Sequence, residues 1–398
     1  MNLKIACVQL NPVIGKFEEN CKRASLLLEK AFPSNSKDVV KHPDIVVLPE
    51  LALTGYNFAN QKAIEPFLES TTSGPSTDFG VQISKRYNCF TLIGYPEKSI
   101  ITTKSQIQDT SNDFEIYNSA VLISPTGSIL FNYRKNFLYE TDEKWGCSSN
   151  PKGFQTFNLN LNKKAYGDNG IDPNIISKIV PASIGICMDL NPYKFEAPFN
   201  KLEFANHCLE TGARLILCPT AWLSHESPSI RTDISDNEKK RISNKYQSYI
   251  TDSPDSKNER FQIDNNGGNI DFPQIKQEIH PDKKSFTSEQ NYNIFKPDHS
   301  VINYWIIRFF PFLNHLYKRQ SPFLKPTVVV MCNRSGIEKD VLYGGSSTIL
   351  KFNNNKPCLS KDENFEDVDS RNDSVDVLGY LGQGTEGVLV RDVELEGI

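Results

Sequence analysis

Short apolar runs rich in β-branched residues recur along the chain at Leu3–Leu10, Asp44–Leu48, Phe90–Gly94, Ser119–Ser124, Ser183–Cys187, Leu215–Cys218 and Thr327–Cys332. Each has the length of a strand and is bounded by Pro, Gly or Asn, so the pattern predicts buried strands. Between several of them the apolar spacing changes to a helical one. Asn20–Phe32 places Ala24, Leu27, Leu28 and Ala31 on one face, Ser76–Tyr87 forms a second helix, and Asn200–Gly212 a third. In the third, Leu202, Ala205, Cys208 and Leu209 point inward and Gly212 closes the C-terminus. Alternation of strands and helices predicts an α/β protein. Toward the end, Ser346–Phe352 and Gly387–Val393 read as strands paired without helices between them.

The pattern lapses between about Ser224 and Ser300, where Asp, Asn, Ser, Lys and Gln dominate. Such a stretch is too polar to bury itself. It reads as an insertion into a single domain spanning residues 1–398, with one helix around Asp236–Ile250 and mobile parts after it. A lid role for the insertion stays open. Val301–Tyr317 is the opposite, dense in aromatics, and reads as a core or lid helix, because an apolar stretch shorter than a membrane span is more often buried. Lys361–Ser374 reads as a polar loop.

Composition removes function classes rather than adding one. The 44 basic and 48 acidic residues nearly balance, for a net charge of −4, which disfavours nucleic acid or an anionic membrane as partner. No run of about 18 apolar residues offers a membrane span. The opening MNLKIACVQL reads as a core strand rather than a targeting segment, so the expected location is the cytoplasm, with the nucleus left open. The nine cysteines are scattered, without a C-x-x-C pair or accompanying His at ligand spacing. They read as free thiols, with no metal site and no cofactor expected.

Three of the strands end in a residue that could carry chemistry. Cys187 closes PASIGICMDL just before the turn-forming Asn191–Pro192. A nucleophile on such a turn faces a cleft and leaves following backbone N–H groups free to hold an oxyanion. Glu50 follows IVVLPEL, where desolvation would lift its pKa toward that of a general base. Lys135 follows ILFNYR, and a buried ammonium there could steady an oxyanion. Taken singly, a free Cys is usually inert packing, and Glu and Lys at strand ends are usually solvated.

Together, in this order, PEL with Glu50, YRKNFL with Lys135 and GICMD with Cys187 resemble the three signature motifs of the nitrilase superfamily of carbon–nitrogen hydrolases. KIACVQLNPVIG, TGY, IGYPE, YNSAVLISPTG, LCPTAW, MCNRSG and YGGSS extend the resemblance over most of the chain. It implies a four-layer αββα sandwich, with Glu50 as base, Cys187 as nucleophile, and Lys135 with the N–H of Met188 as oxyanion donors. FNYRKNFLYET, SIGICMDLNPYKFEAPFN and NYWIIRFFPFL are similar to one branch, the fungal amidases that convert N-terminal Asn and Gln of proteins to Asp and Glu. That branch would link the chain to N-degron breakdown, with arginyl-transferase and ubiquitin-ligase partners.

A terminal substrate needs a partner for its free α-ammonium, and Asp189 and Glu143 are the candidates, Asp189 being equally readable as a brace for the nucleophile turn. Trp222 and Tyr56 are candidate pocket walls. The sequence departs from the superfamily at Ser148, where many members carry a second glutamate; Glu143 or Asp142 could supply that charge, or Ser148 could support a water network. Two other readings remain: a small-molecule ω-amidase or glutamine amidohydrolase, favoured by a sealed pocket, and an inactive N-degron-binding scaffold using Tyr304–Phe312. His42, His207 and His315 are left as structural, and a monomer is expected.

Overall fold

A computed structural model of the chain describes residues 1–33, 42–101, 114–167, 170–171, 178–252, 261–264, 292–313, 325–353 and 375–395. The strands that matter here are β1 (Asn2–Gln9), β2 (Ile45–Val47), β3 (Phe90–Ile100), β4 (Phe114–Ile123), β5 (Ile129–Arg134), β6 (Thr156–Asn160), β7 (Ile179–Ile184), β8 (Leu215–Thr220), β9 (Phe261–Asp264), β10 (Thr327–Asn333), β11 (Thr348–Phe352), β12 (Val375–Tyr380) and β13 (Glu386–Glu394). The helices are α1 (Phe17–Ala31), α2 (Pro75–Tyr87), α3 (Glu140–Lys144), α4 (Glu203–Glu210), α5 (Asp236–Asp252) and α6 (His299–Arg308).

One sheet runs β9-β13-β1-β2-β3-β4-β5, and the other β12-β11-β10-β8-β7-β6. Their inner faces meet: Leu3, Ile5, Val47 and Leu92 of the first sheet pack on Ile184, Leu217, Val328 and Val330 of the second. The first sheet's outer face buries Ala6, Val8 and Ile93 under Ala24, Leu27 and Leu28 of α1 and Phe79 and Ile83 of α2. The second sheet's outer face buries Ile216, Val329 and Met331 under Phe204 and Cys208 of α4 and Ile302 and Trp305 of α6. The order is therefore helix, sheet, sheet, helix. It explains the near-continuous apolar runs, since strands covered on both faces lose the polar half of the alternation.

Most elements lie where the pattern put them, shifted by a few residues. The C-terminal strands correct one expectation: Ser346–Phe352 and Gly387–Val393 belong to different sheets, with β11 pairing with β10 and β12 and β13 pairing antiparallel with β1. The polar insertion corrects another. Its helix α5 is present, but Phe261–Asp264 also adds an edge strand parallel to β13. Its stretches 253–260 and 265–291, the expected polar loop at 361–374, and His315 fall outside the described residues.

The aromatic segment forms α6 and a short helix Phe310–Leu313. Asp298 caps α6, accepting from the N–H groups of Ser300 (3.0 Å) and Val301 (3.3 Å). Trp305, Phe309 and Phe312 are fully or almost fully buried. The buried Arg308 donates to the carbonyls of Leu190 (2.6 Å) and Phe199 (2.5 Å), tying α6 to the chain that follows Cys187. Much of the surface Tyr304–Phe312 was to offer a partner is thus core.

Candidate active site

Glu50, Lys135 and Cys187 lie far apart in sequence and are brought together where β2, β5 and β7 end. Glu50 follows β2 by three residues and is completely buried. Leu51 takes a left-handed φ of 43°, which turns the chain sharply after it. The turn lies directly on Gly94 of β3: a Cβ there would sit 2.6 Å from the Pro49 carbonyl oxygen and 2.8 Å from the Glu50 Cα. Lys135 is the first residue after β5 and is also completely buried.

Cys187 begins a tight 3₁₀ turn, Cys187–Leu190, after Gly185 and Ile186 extend β7. Its φ is 45°, a left-handed conformation costing a non-glycine residue of order 1–3 kcal/mol and concentrated at functional sites. Asp189 holds that turn. Its buried carboxylate accepts from Tyr133 Oη (2.8 Å) and from the N–H groups of Asn136 (2.9 Å), Phe137 (2.8 Å) and Ile186 (2.8 Å). Burial lifts its pKa to about 6 against these donors, so near pH 7 it is ionised and accepts all four. With its oxygens so occupied, Asp189 braces the nucleophile turn against the segment after Lys135. It is not among the residues lining the cavity.

The polar centre is a chain of charges. Lys135 Nζ lies 2.7 Å from Glu50 Oε1 and 2.7 Å from Asp142 Oδ2. Asn118 Nδ2 donates to Glu50 Oε1 (2.6 Å) and Asp142 Oδ1 (3.0 Å), and Tyr56 Oη donates to Asp142 Oδ1 (3.0 Å). The Ala221 N–H donates to Glu50 Oε2 (2.7 Å) and also lies against the Cys187 thiol. The second carboxylate beside the lysine is therefore Asp142, supplied by α3. Glu143, its neighbour, points outward, 52% exposed, with Lys194 Nζ at 3.8 Å. Ser148 only continues the backbone, its N–H donating to the Ile116 carbonyl (2.7 Å).

Burial pushes the Glu50 carboxyl above its ordinary value, and Asp142 adds to this while Lys135 opposes it. Burial works against the Lys135 ammonium, but Asp142 and Glu50 outweigh it and hold its pKa well above 10.5. Burial and the nearby Glu50 charge push the Cys187 thiol well above 9. The site thus holds a thiol that burial keeps protonated, beside Glu50, with the Lys135 ammonium between Glu50 and Asp142.

The cavity over this centre is about 460 Å³, and Cys187, Met188, Tyr56, Tyr139, Ala221 and Trp222 are among the residues lining it. Tyr56 and Trp222 lie in its lining. Asn333 pins Trp222, accepting from its N–H (2.7 Å), and the indole packs against Tyr304 and Trp305 at 5.6 and 6.0 Å between ring centroids. Sequence reasoning missed Asn118, Ala221, Tyr139 and Asn333. Asn118 and Asn333 sit inside YNSAVLISPTG and MCNRSG, so the signal was the motif, whose polar member inside an apolar run marks a buried hydrogen bond. Among the described residues no group of three or more His, Cys, Asp or Glu is arranged to hold a metal ion.

A partly exposed cysteine on a strained turn, a buried carboxylate and a buried lysine, set at strand ends of a four-layer sandwich, are the groups an amidohydrolase with a thiol nucleophile would need. Comparison with known proteins agrees: the carbon-nitrogen hydrolase family matches residues 4–191. The chain is 33% identical to the protein N-terminal amidase of Saccharomyces cerevisiae over 100% of its own length and 96% of that protein's. Crystal structures of an N-terminal amidase with a Gln-Gly peptide and with an Asn-Glu peptide superpose with TM-scores of 0.77 and 0.76. Each is 31% identical and covers 99% of this chain and 98% of its own. The chain belongs to the carbon-nitrogen hydrolase family, the nitrilase superfamily, and is an amidohydrolase.

Proposed function

We propose that this enzyme hydrolyses the side-chain amide of Asn or Gln at the N-terminus of a protein or peptide, giving Asp or Glu and ammonia. The observation that carries this reading is the open mouth of the cavity. Phe195 and Ile230, which line it, are 58% and 48% exposed, so among the described residues the cavity leads from Cys187 out to solvent. A substrate whose chain continues beyond its first residue needs such an exit. A free amino acid or small ω-amide does not, and would be better served by enclosure.

Catalysis follows from the resting charges. Glu50 takes the Cys187 proton as the sulfur attacks the carboxamide carbon, so no free thiolate need accumulate. The oxyanion of the tetrahedral intermediate is met by the Lys135 ammonium and by the Met188 N–H, the next one after the nucleophile within the strained turn. Collapse breaks the C–N bond, and the proton on Glu50 leaves with the departing ammonia. The product of this half is a thioester on Cys187. Glu50, again a carboxylate, activates water to cleave it, which returns the thiol and releases the acid. Asp142 balances the lysine so that its charge stays in place through both halves.

Neither Asp189 nor Glu143 lines the cavity, so the substrate α-ammonium meets other groups. The residues lining it include Asn191, whose Oδ1 accepts from Tyr304 Oη (2.7 Å), and His225. The new acidic terminus would be a substrate for arginyl transfer and then ubiquitylation in the cytoplasm or nucleus. The test is ammonia release from Asn-, Gln- and Val-starting peptides. Release from the first two only, lowered at least about a thousandfold in Cys187→Ala, supports the reading. Equal release from acetylated Asn peptides, or release from free glutamine alone, overturns it.

A further inference from the structure

A second buried charge pair adjoins the catalytic centre through Tyr56, and the mechanism above does not use it. Arg334, directly after β10, is completely buried, and Glu338, four residues on, is almost so. Arg334 Nη1 donates to Glu338 Oε1 (2.5 Å) and Arg334 Nη2 to the Pro12 carbonyl (3.0 Å), while the guanidinium lies 3.9 Å from the centre of the Tyr343 ring. Such a pair is weak evidence for stability, because the cost of desolvating two charges can exceed their attraction. The other partners of the carboxylate give it a further role.

Glu338 stands on a small hairpin, Ile337–Glu338 paired with Val341–Leu342. Its carboxylate accepts from the N–H groups of Tyr56 (3.3 Å) and Asn57 (2.8 Å) and from Tyr343 Oη (2.7 Å). Two successive N–H groups of the loop that follows Glu50 are thus satisfied by one side chain from far along the chain. Gly55 leaves room for it. With a left-handed φ of 82°, a Cβ there would sit 2.8 Å from Glu338 Oε1. From this anchored backbone the Tyr56 side chain runs to the centre. Its Oη donates to Asp142 Oδ1 (3.0 Å), its ring centre lies 5.5 Å from Lys135 Nζ, and Asp142 Oδ2 holds that ammonium at 2.7 Å.

We propose that Glu338 is a positioning residue for the catalytic lysine, acting through Tyr56. It fixes the Tyr56 backbone, so that the phenol stays on Asp142 and Asp142 stays on the Lys135 ammonium. This rests on Lys135 meeting the oxyanion as described above. The four groups that face the Glu338 carboxylate are all donors, so an amide in its place turns its own NH2 toward one of them. Glu338→Gln therefore loosens the Tyr56 loop at nearly constant volume. Glu338 is not among the residues lining the cavity, so its loss is read in kcat rather than in KM.

The experiment measures kcat and KM by ammonia release from Asn- and Gln-starting peptides for the full-chain parent, Tyr56→Phe, Glu338→Gln and the double variant. Tyr56→Phe removes a hydrogen bond to a charged group and is expected to lower kcat about tenfold. Glu338→Gln is expected to lower it by about the same factor, with KM within about twofold of the parent. Because both act on one contact, the double variant should stay near about tenfold, whereas independent effects multiply to about a hundredfold. Tyr343→Phe takes one donor from Glu338 and leaves its pairing with Arg334, so it decides the matter where Glu338→Gln does not fold. It is expected to lower kcat about threefold in the parent and to add nothing in Tyr56→Phe. Undiminished kcat in Glu338→Gln, or in Tyr343→Phe where the former does not fold, overturns the positioning role alone. So do effects that multiply in either double variant. No ammonia from any peptide with the parent overturns the terminal-amidase reading instead.

Discussion

In the proposed mechanism Glu50 carries the most of any single side chain, because there it both takes and returns a proton. Burial raises its pKa, so activity on the acid side should be lost at a pH above that where an ordinary glutamate titrates, as Glu50 gains a proton and ceases to be a base. Lys135 titrates well above 10.5, so its deprotonation sets no alkaline limb near neutrality. A pH profile of kcat/KM checks both. Glu50→Gln should lower kcat on the order of 10²–10⁴-fold while slowing alkylation of Cys187 by iodoacetamide near pH 7, since burial holds the thiol protonated without its base. Unslowed alkylation in that variant would show that another group deprotonates the sulfur. Lys135→Met leaves Glu50 and Asp142 buried without their counter-charge, and should destabilise the fold by about 3–5 kcal/mol in a denaturant titration.

At the scale of elements, two glycines set how closely the catalytic turns are held. Gly94 lies against the backbone of Pro49, Glu50 and Leu51, so the methyl of Gly94→Ala has nothing flexible to push aside. That variant should lose activity through displacement of Glu50, and a second substitution should not restore it. Gly185, two residues before Cys187, faces the Phe204 ring of α4, where a Cβ would come within 2.4 Å. Gly185→Ala should also lower kcat and Tm, but trimming the opposing ring in Gly185→Ala/Phe204→Leu should recover a measurable part of both. The contrast between the two pairs tests whether the obstruction is backbone in one and side chain in the other.

At the scale of the whole molecule, the site is a product of the two-sheet stack. Glu50 and Lys135 leave strands of one sheet, while Cys187 leaves the other, so the catalytic distance is the inter-sheet spacing read at one end of the sandwich. Leu217 fills that interface and is completely buried. Leu217→Ala should cost about 2–5 kcal/mol, with activity per folded molecule falling less than stability, since the cavity opens between the sheets away from the mouth. Chemical denaturation and active-site titration separate the two quantities.

Much was written in the chain. Strand runs covered on both faces, helices of matched amphipathicity and three motifs at strand ends are local facts, because burial periodicity and turn residues act over a few neighbours. They sufficed for the layered α/β class and for singling out Glu50, Lys135 and Cys187, which the fold brings together. Other features had no local signature. Asp142 and Glu143 stand side by side in the sequence with the same charge, and only the turn of α3 sends one to Lys135 and the other to solvent. Asp189 is as able by sequence to bind an ammonium as to brace a turn, but four donors from two stretches of chain, residues 133–137 and Ile186, occupy it. The edge strand Phe261–Asp264 is hidden in polar surroundings because its pairing partner β13 lies more than a hundred residues away. A residue's periodicity states which face it occupies; which distant groups meet it there is settled when the two sheets close.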